Sequence, residues 1–149
     1  MSQASGSLQA QGPEPVAVRS PAGVLNALCA WCLLVLTDVA LMAGGFSCFY
    51  AMVKAWPTIG AAPPDRVQDS VSRVTGAVNI ARTCYFKRAW CLQRAAAAVC
   101  YLRLCGVNAQ LVIAVQKFPF HAHAWAEVDR TVVNDDRFVN TAYTVITRC

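Results

Sequence analysis

One apolar segment, Gly23 to Trp56, most constrains what this chain can fold into. Its run from Ala27 to Leu36 is unbroken, and after Thr37 and Asp38 the apolar residues resume. A membrane-spanning helix needs about 18 or more apolar residues in a row, and a charged residue near its centre costs about 3 kcal/mol. Because Asp38 would lie near the middle of such a span, the segment favours two packed helices, and a membrane partner is not expected.

The pair Gly44 and Gly45 is the predicted break between these two helices. A partner protein could cover their outer surface, or they could pack entirely on the rest of the domain. Cys29 and Cys32 have the C-x-x-C spacing, but no second ligand pair lies near them. Plain packing is therefore favoured over a metal or redox site.

Length and charge limit the number of domains and the kinds of partner to be expected. A chain of 149 residues is typically one domain, and such a domain buries about 70% of its unfolded surface without needing disulfides. Charged residues make up 14% of the chain and the net charge is +5, with the basic residues scattered. No long basic run marks a nucleic-acid partner.

The cysteines and the N-terminal tail indicate the compartment. Most of the eight cysteines lie in apolar, helix-like segments and are predicted to be small buried side chains. Residues 1–22 are rich in Ser, Gln, Gly, Pro and Ala and are predicted to be disordered. The apolar run that follows lacks the features of a secretory signal, so a reducing cytosol is expected.

Two further helices are predicted after a linker that ends at Pro64. Asp65 and Gln68 have capping-box spacing, and apolar residues recur at helical intervals as far as Thr83. After a connector, Cys91 to Gly106 is helical because its alanine run has high helix propensity. Gly106 stands where a left-handed cap belongs. Residues 23–64 are thus an apolar helical region with a linker, and residues 65–149 form the core.

Strands follow the helices. Ala109 to Val115 is rich in branched apolar residues, and His121 to Val128 alternates with period two. Arg130 to Asp135 is predicted as the hairpin partner of that strand, and Ala142 to Arg148 as the last strand. Helices first and strands afterwards are typical of an α+β fold with an antiparallel sheet.

Cys91 is the candidate nucleophile. It begins a predicted helix, where unpaired amide donors and partial positive charge favour a thiolate. None of the other cysteines has this setting.

His121 and His123, the only histidines, share one face of their strand with Trp125. They could be one half-buried ring and one exposed ring, or metal ligands, although no spacing identifies the further ligands. They could also supply the base for a thiol nucleophile, with a carboxylate that orients it. Asp135 and Asp136 offer that carboxylate, so Cys, His and Asp form a coherent thiol-hydrolase arrangement.

The hairpin register decides which aspartate serves. A two-residue loop, Asp129–Arg130, places Asp136 opposite His123. A three-residue loop, Asp129–Thr131, places Asp135 on the histidine face. A slip of one residue exchanges them, and register alone leaves both open.

Five motifs in order resemble one family, the split, stand-alone leader peptidase (B protein) of lasso-peptide biosynthesis, within the transglutaminase-like cysteine-protease superfamily. The motifs are "CLQRA" at Cys91–Ala95, "GVNAQLVIAV" at Gly106–Val115, "FPFHAHAWAEV" at Phe118–Val128, "VVND" at Val132–Asp135 and "YTVITR" at Tyr143–Arg148. The stretch Leu36–Trp56 is similar to the helical N-terminal part of that family.

The resemblance implies a transglutaminase-like, papain-like core with the nucleophile at a helix N-terminus. It implies Cys91 as nucleophile, His123 as base and Asp135 as orienting acid. Many members have Ser where this chain has Ala95, and many have Gly in the hairpin turn where it has Arg130.

The resemblance also implies partners. The substrate would be a precursor peptide whose leader is bound by a separate leader-recognition protein, and a macrolactam synthetase would close the freed core peptide. No cofactor or metal is implied. The alternatives are a transglutaminase-like acyl transferase, an inactive scaffold, or a small membrane-associated Cys/His metal protein.

Five side chains are candidates for the substrate cleft. Trp90, Phe120 and Trp125 could form its walls, although aromatic residues more often belong to a core. Arg94 lies one turn beyond Cys91 and has either a structural or a substrate-steering role. His121 faces either solvent or the rim of the cleft.

Overall fold

Helices precede the strands along the chain, as the sequence predicts. A computed structural model describes residues 20–86, 90–136 and 139–149. Within these residues the elements are α1 (Pro21–Ala55), α2 (Pro64–Thr83), α3 (Cys91–Leu104), β1 (Ala109–Gln116), β2 (His121–Val128), β3 (Thr131–Val132), α4 (Val139–Ala142) and β4 (Thr144–Arg148). The predicted α+β class with an antiparallel sheet is confirmed.

Helix α1 begins inside the segment that the sequence assigned to a disordered tail. The Gly23 N–H donates to Ser20 Oγ at 3.1 Å, a cap that satisfies one of the free amides at a helix start. Residues 1–19, the rest of the predicted tail, lie outside the described residues. Gly45 departs from helical geometry with φ 64° and ψ −170°, so α1 kinks at the predicted break.

Helix α1 has one face in the core and another that the described residues leave exposed. Ala30, Leu34, Phe49 and Val53 are fully buried in a cluster with α2 and α3. We call the exposed apolar side chains the outer face of α1; they are Val24, Leu25, Leu28, Leu36, Val39, Met42 and Phe46. By length and composition alone, α1 is the one described helix that could cross a membrane.

Helix α2 begins differently from the prediction. Its N-cap is Pro63, no side chain caps it, and Pro64 occupies the first turn. A proline fits there because it has no N–H to leave unpaired and its φ is already helical. The predicted capping box of Asp65 and Gln68 is therefore wrong, although the helix does end at Thr83.

Helix α3 lies between the other two helices and the sheet, and it contacts β1 and β2. Its four consecutive alanines, Ala95 to Ala98, are all buried. Short side chains let the helix axis approach its neighbours closely on every side. The sheet order is β3-β2-β1-β4. On its other face, Val112, Ala114 and Trp125 form a second, smaller cluster.

The cysteines are less buried than expected. All eight are free thiols; Cys29, Cys32, Cys48 and Cys84 are exposed, and only Cys100 is buried. Burial raises the pKa of the Cys100 thiol to about 12. The expectation of mostly buried cysteines is wrong because α1 is apolar on both faces, so its pattern does not reveal which face points inwards.

Arg103 joins three elements from within the core. Its Nη1 donates to the Val53 carbonyl at 2.7 Å, and its Nε donates to the Ala109 carbonyl at 2.9 Å. The side chain is buried, so this cation satisfies carbonyls at the end of α1 and the start of β1 that water cannot reach.

We expect Arg103→Met to lower the free energy of unfolding by about 3 kcal/mol, because buried hydrogen bonds to a charged donor are lost. Urea unfolding followed by circular dichroism measures this. Arg66→Met is the matched control because Arg66 is exposed. Equal, small changes in both variants would contradict the assigned role.

Candidate active site

Cys91 is the first residue of α3 and is partly buried. The residue before it, Trp90, has an extended backbone with φ −73° and ψ 162°. The Trp90 N–H donates to Gln93 Oε1 at 2.9 Å, and Gln93 is buried. This is the side chain-to-cap half of a capping box. Its signal in the sequence is a glutamine three positions into the helix, a feature not used in the prediction above.

Asp38 is hydrogen-bonded to the Gln93 side chain that forms this cap. Gln93 Nε2 donates to Asp38 Oδ1 at 2.8 Å, and Tyr85 Oη donates to Asp38 Oδ2 at 3.3 Å. Only 4% of Asp38 is exposed. Burial, and then the Asp38 charge, raise the pKa of Tyr85, so its hydroxyl stays a donor. The aspartate that interrupts the apolar segment is therefore part of a buried polar network at the start of α3.

His123 pairs with Asp135. The His123 Nε2 and Asp135 Oδ2 atoms are 2.8 Å apart, and both side chains are partly buried. The Asp136 N–H donates to Asp135 Oδ1 at 2.9 Å, which fixes the carboxylate from its other oxygen. Of the two aspartates that the sequence left open, the structure places Asp135 against the histidine.

The pairing of His123 with Asp135 does not follow from the number of residues in the hairpin loop. Val128 pairs with Thr131, and Asp129 and Arg130 both have positive φ, at 48° and 62°. This is a two-residue loop, so the three-residue loop that would have favoured Asp135 is wrong. On a continuous ladder the observed loop would have placed Asp136 opposite His123. The ladder, however, ends at Val132.

Asn134 is the residue that ends the ladder. The Ala126 N–H donates to Asn134 Oδ1 at 2.7 Å instead of to a backbone carbonyl. The Val133 carbonyl accepts from Thr75 Oγ1 of α2 at 3.3 Å. Because a side chain replaces the strand carbonyl, the backbone turns away from β2, and Asp135 comes to the histidine side.

Cys91 and His123 line one small cavity. Its volume is about 170 Å³, and its other lining residues are Phe46, Leu92, Ile113, Ala122 and Ala124. In the described ranges no hydrogen bond joins the Cys91 thiol to His123. The imidazole Nε2 is engaged by Asp135, which leaves Nδ1 as the nitrogen available to a thiol.

The histidine face contains one further residue that the sequence analysis did not single out, Tyr143. Its hydroxyl lies 2.9 Å from His121 Nδ1, and its ring centre lies 5.4 Å from that of His123. Its presence at the start of the "YTVITR" motif was the available signal. Tyr143 holds both histidines against the sheet.

The predicted cleft side chains occupy different settings. Trp90, Phe120 and His121 are exposed, whereas Trp125 is fully buried and donates from Nε1 to Glu127 Oε1 at 2.8 Å. Trp125 thus packs against His123, with 6.1 Å between the two ring centres, and does not form an open wall of the cleft. None of these residues lines the 170 Å³ cavity.

Arg94 is half-buried beside the site. Burial lowers the pKa of its guanidinium, as does Arg82, while Asp135 and Cys91 oppose that shift. Its Nε is buried without a hydrogen-bond partner among the described residues. Arg94 therefore places a positive charge close to both Cys91 and Asp135.

Within the residues that the structure describes, no three His, Cys, Asp or Glu side chains are grouped so that they could hold a metal ion. Cys29 and Cys32, the C-x-x-C pair, are both exposed on α1.

Replacing Asn134 tests how the ladder ends. We expect Asn134→Ala to speed hydrogen exchange of the Ala126 amide by about 10-fold or more, because that amide loses its acceptor. Two-dimensional NMR exchange spectra measure the rate residue by residue. Asp136→Ala is the control and should leave the Ala126 rate unchanged; an unchanged rate in Asn134→Ala as well would refute the account.

Comparison with known proteins points in the same direction as the geometry. A family model described as the transglutaminase-like superfamily matches residues 33–148, more than half of the chain. No curated protein and no solved structure gives a significant match.

Proposed function

The chain belongs to the transglutaminase-like superfamily, and we propose that it is a cysteine peptidase that removes the leader from a lasso-peptide precursor. The observation that carries the proposal is the His123–Asp135 pair at 2.8 Å, next to a cavity that the helix-start Cys91 also lines. The five ordered sequence motifs support the choice of lasso-peptide substrate.

The proposed reaction begins at Cys91. The thiol gives its proton to His123 Nδ1, and the sulfur attacks the carbonyl at the leader–core junction. Asp135 accepts from Nε2–H and so keeps the lone pair on Nδ1, the nitrogen that takes the proton. The imidazolium then protonates the leaving amine of the core peptide, and water hydrolyses the thioester to release the leader acid.

The oxyanion donor follows from the cap at the helix start. The Trp90 N–H is already bonded to Gln93, so it does not serve. The Cys91 N–H opens α3 and has no carbonyl partner earlier in the helix. It is positioned to donate to the oxygen of a tetrahedral intermediate formed on its own sulfur.

Variants of the three proposed catalytic residues test the mechanism. We expect Cys91→Ala to abolish cleavage, and His123→Ala and Asp135→Ala to lower kcat/KM by about 10³-fold and 10²-fold or more. Asp136→Ala is the matched control and should stay within about 2-fold of the unmodified chain. The assay incubates the chain with a lasso-peptide precursor and a leader-recognition protein, and mass spectrometry follows the products.

Product masses also separate the reaction types. A free leader acid and a free core amine indicate hydrolysis, whereas a leader joined to an added amine indicates acyl transfer. Cleavage that survives Cys91→Ala would disprove the peptidase assignment.

We further propose that the outer face of α1 binds the leader-recognition protein. Its side chains are large, apolar and exposed, as in surfaces that partners cover. Phe46 belongs both to this face and to the lining of the cavity, so a partner docked there would deliver the peptide next to Cys91. The macrolactam synthetase would then take the released core peptide.

Charge placed on this face should disrupt docking. We expect Val39→Glu to weaken binding of the recognition protein by 10-fold or more, because a carboxylate would be buried at the interface. Isothermal titration calorimetry gives the Kd. Gln68→Glu is the control on α2, since Gln68 is exposed there and lies outside the outer face. An unchanged Kd in Val39→Glu, or flotation of the chain with lipid vesicles that this substitution abolishes, would overturn the assignment.

A further inference from the structure

The buried carboxylate of Asp38 lies two hydrogen bonds from the backbone of the residue before Cys91. Asp38 accepts from Gln93 Nε2 at 2.8 Å, and Gln93 Oε1 accepts from the Trp90 N–H at 2.9 Å. We propose that Asp38 is a positioning residue that fixes the start of α3 and thereby the place of Cys91. The inference rests on the proposed function, because it assigns Asp38 to the same thiol site.

The chemistry of the two side chains explains why a carboxylate is needed. An ionised carboxylate only accepts hydrogen bonds, whereas a glutamine amide has one accepting and one donating end. Asp38 therefore forces the NH₂ group of Gln93 towards itself, and Gln93 Oε1 must point to the Trp90 N–H. A neutral amide at position 38 would allow both orientations, and one of them would present a donor to that N–H.

Trp90 is consequently held by both of its backbone polar groups. Its N–H is bonded to Gln93, and its carbonyl accepts from the Arg94 N–H at 3.1 Å, the first bond of the helix. Cys91 follows directly, so its backbone has little freedom to rotate. A misplacement of about 1 Å at a reacting group can cost about 100-fold in rate, which makes this restraint relevant to catalysis.

Stability alone is a poor explanation for this network. Only 4% of Asp38 is exposed, and removing a carboxylate from water costs several kcal/mol. The carboxylate instead determines one hydrogen-bond pattern out of two, at the entrance of the helix that begins with Cys91.

An exchange of the two side chains tests the idea. In the variant Asp38→Asn/Gln93→Glu, the introduced carboxylate is the acceptor-only group, and it must accept from both the new amide and the Trp90 N–H. The buried charge is conserved and one orientation is again enforced. Asp38→Asn leaves two orientations open, and Gln93→Glu sets two carboxylates against each other.

Two measurements at a temperature well below unfolding report on the site. One is the alkylation rate of Cys91 with iodoacetamide, resolved from the other thiols by peptide mass spectrometry; the other is kcat with the precursor peptide. We expect Asp38→Asn to lower both by about 10-fold and Gln93→Glu by about 100-fold. The double variant should return to within about 3-fold of the unmodified chain, as a strongly coupled pair requires.

Thr37→Val is the matched control for buried polarity in α1. Thr37 is fully buried and donates only to the Leu34 carbonyl in its own helix, at 3.0 Å. The variant Thr37→Val should lower the melting temperature while leaving the alkylation rate and kcat of the folded protein unchanged. A purely structural Asp38 would behave in the same way as Thr37.

The inference is overturned if Asp38→Asn changes only the melting temperature, or if the double variant is no more active than Asp38→Asn. The second comparison decides the question even if Gln93→Glu alone does not fold. Failure of the proposed function looks different: cleavage would then persist in Cys91→Ala, whatever the variants at positions 38 and 93 do to alkylation.

Discussion

The site depends on the close packing of α3 against the sheet. Four successive alanines, Ala95 to Ala98, are buried on this helix, and α3 contacts both β1 and β2. Because these side chains are so short, the first turn of α3 comes down next to the middle of β2, and Cys91 and His123 line the same cavity. Bulkier residues in this run would push the thiol away from the strand that provides the imidazole.

The position of Asp135 in the site depends on where strand β3 ends. β3 has only two residues, and the Asn134 side chain takes over the acceptor role of the next strand carbonyl. The backbone leaves the sheet there, and Asp135 meets His123. One member of this pair is thus placed by a regular strand, and the other by the point at which a strand stops.

Regular elements could be predicted from the sequence, whereas single hydrogen bonds could not. The period-two pattern of residue types predicted β2 with its observed ends, His121 and Val128, although the burial itself does not alternate: the strand is exposed at its start and buried on both faces from Ala124 onwards. Register alone could not choose between Asp135 and Asp136, because both alternatives assumed an uninterrupted ladder, and Asn134 replaces one backbone acceptor with a side chain. Asp38 was interpreted only as an obstacle to a membrane span, since its partner Gln93 is 55 positions away and no local pattern connects them.

The kink at Gly45 divides α1 into two arms that contact different parts of the protein. The first arm contains Asp38 and faces the start of α3; the second contains Phe46, on the cavity wall, and Tyr50, whose hydroxyl lies 2.7 Å from Thr147 Oγ1 of β4. At a φ of 64°, glycine is the residue that adopts this conformation without strain. Substitutions in the second arm would therefore change the wall of the cavity, while the arm that contacts the start of α3 keeps its place.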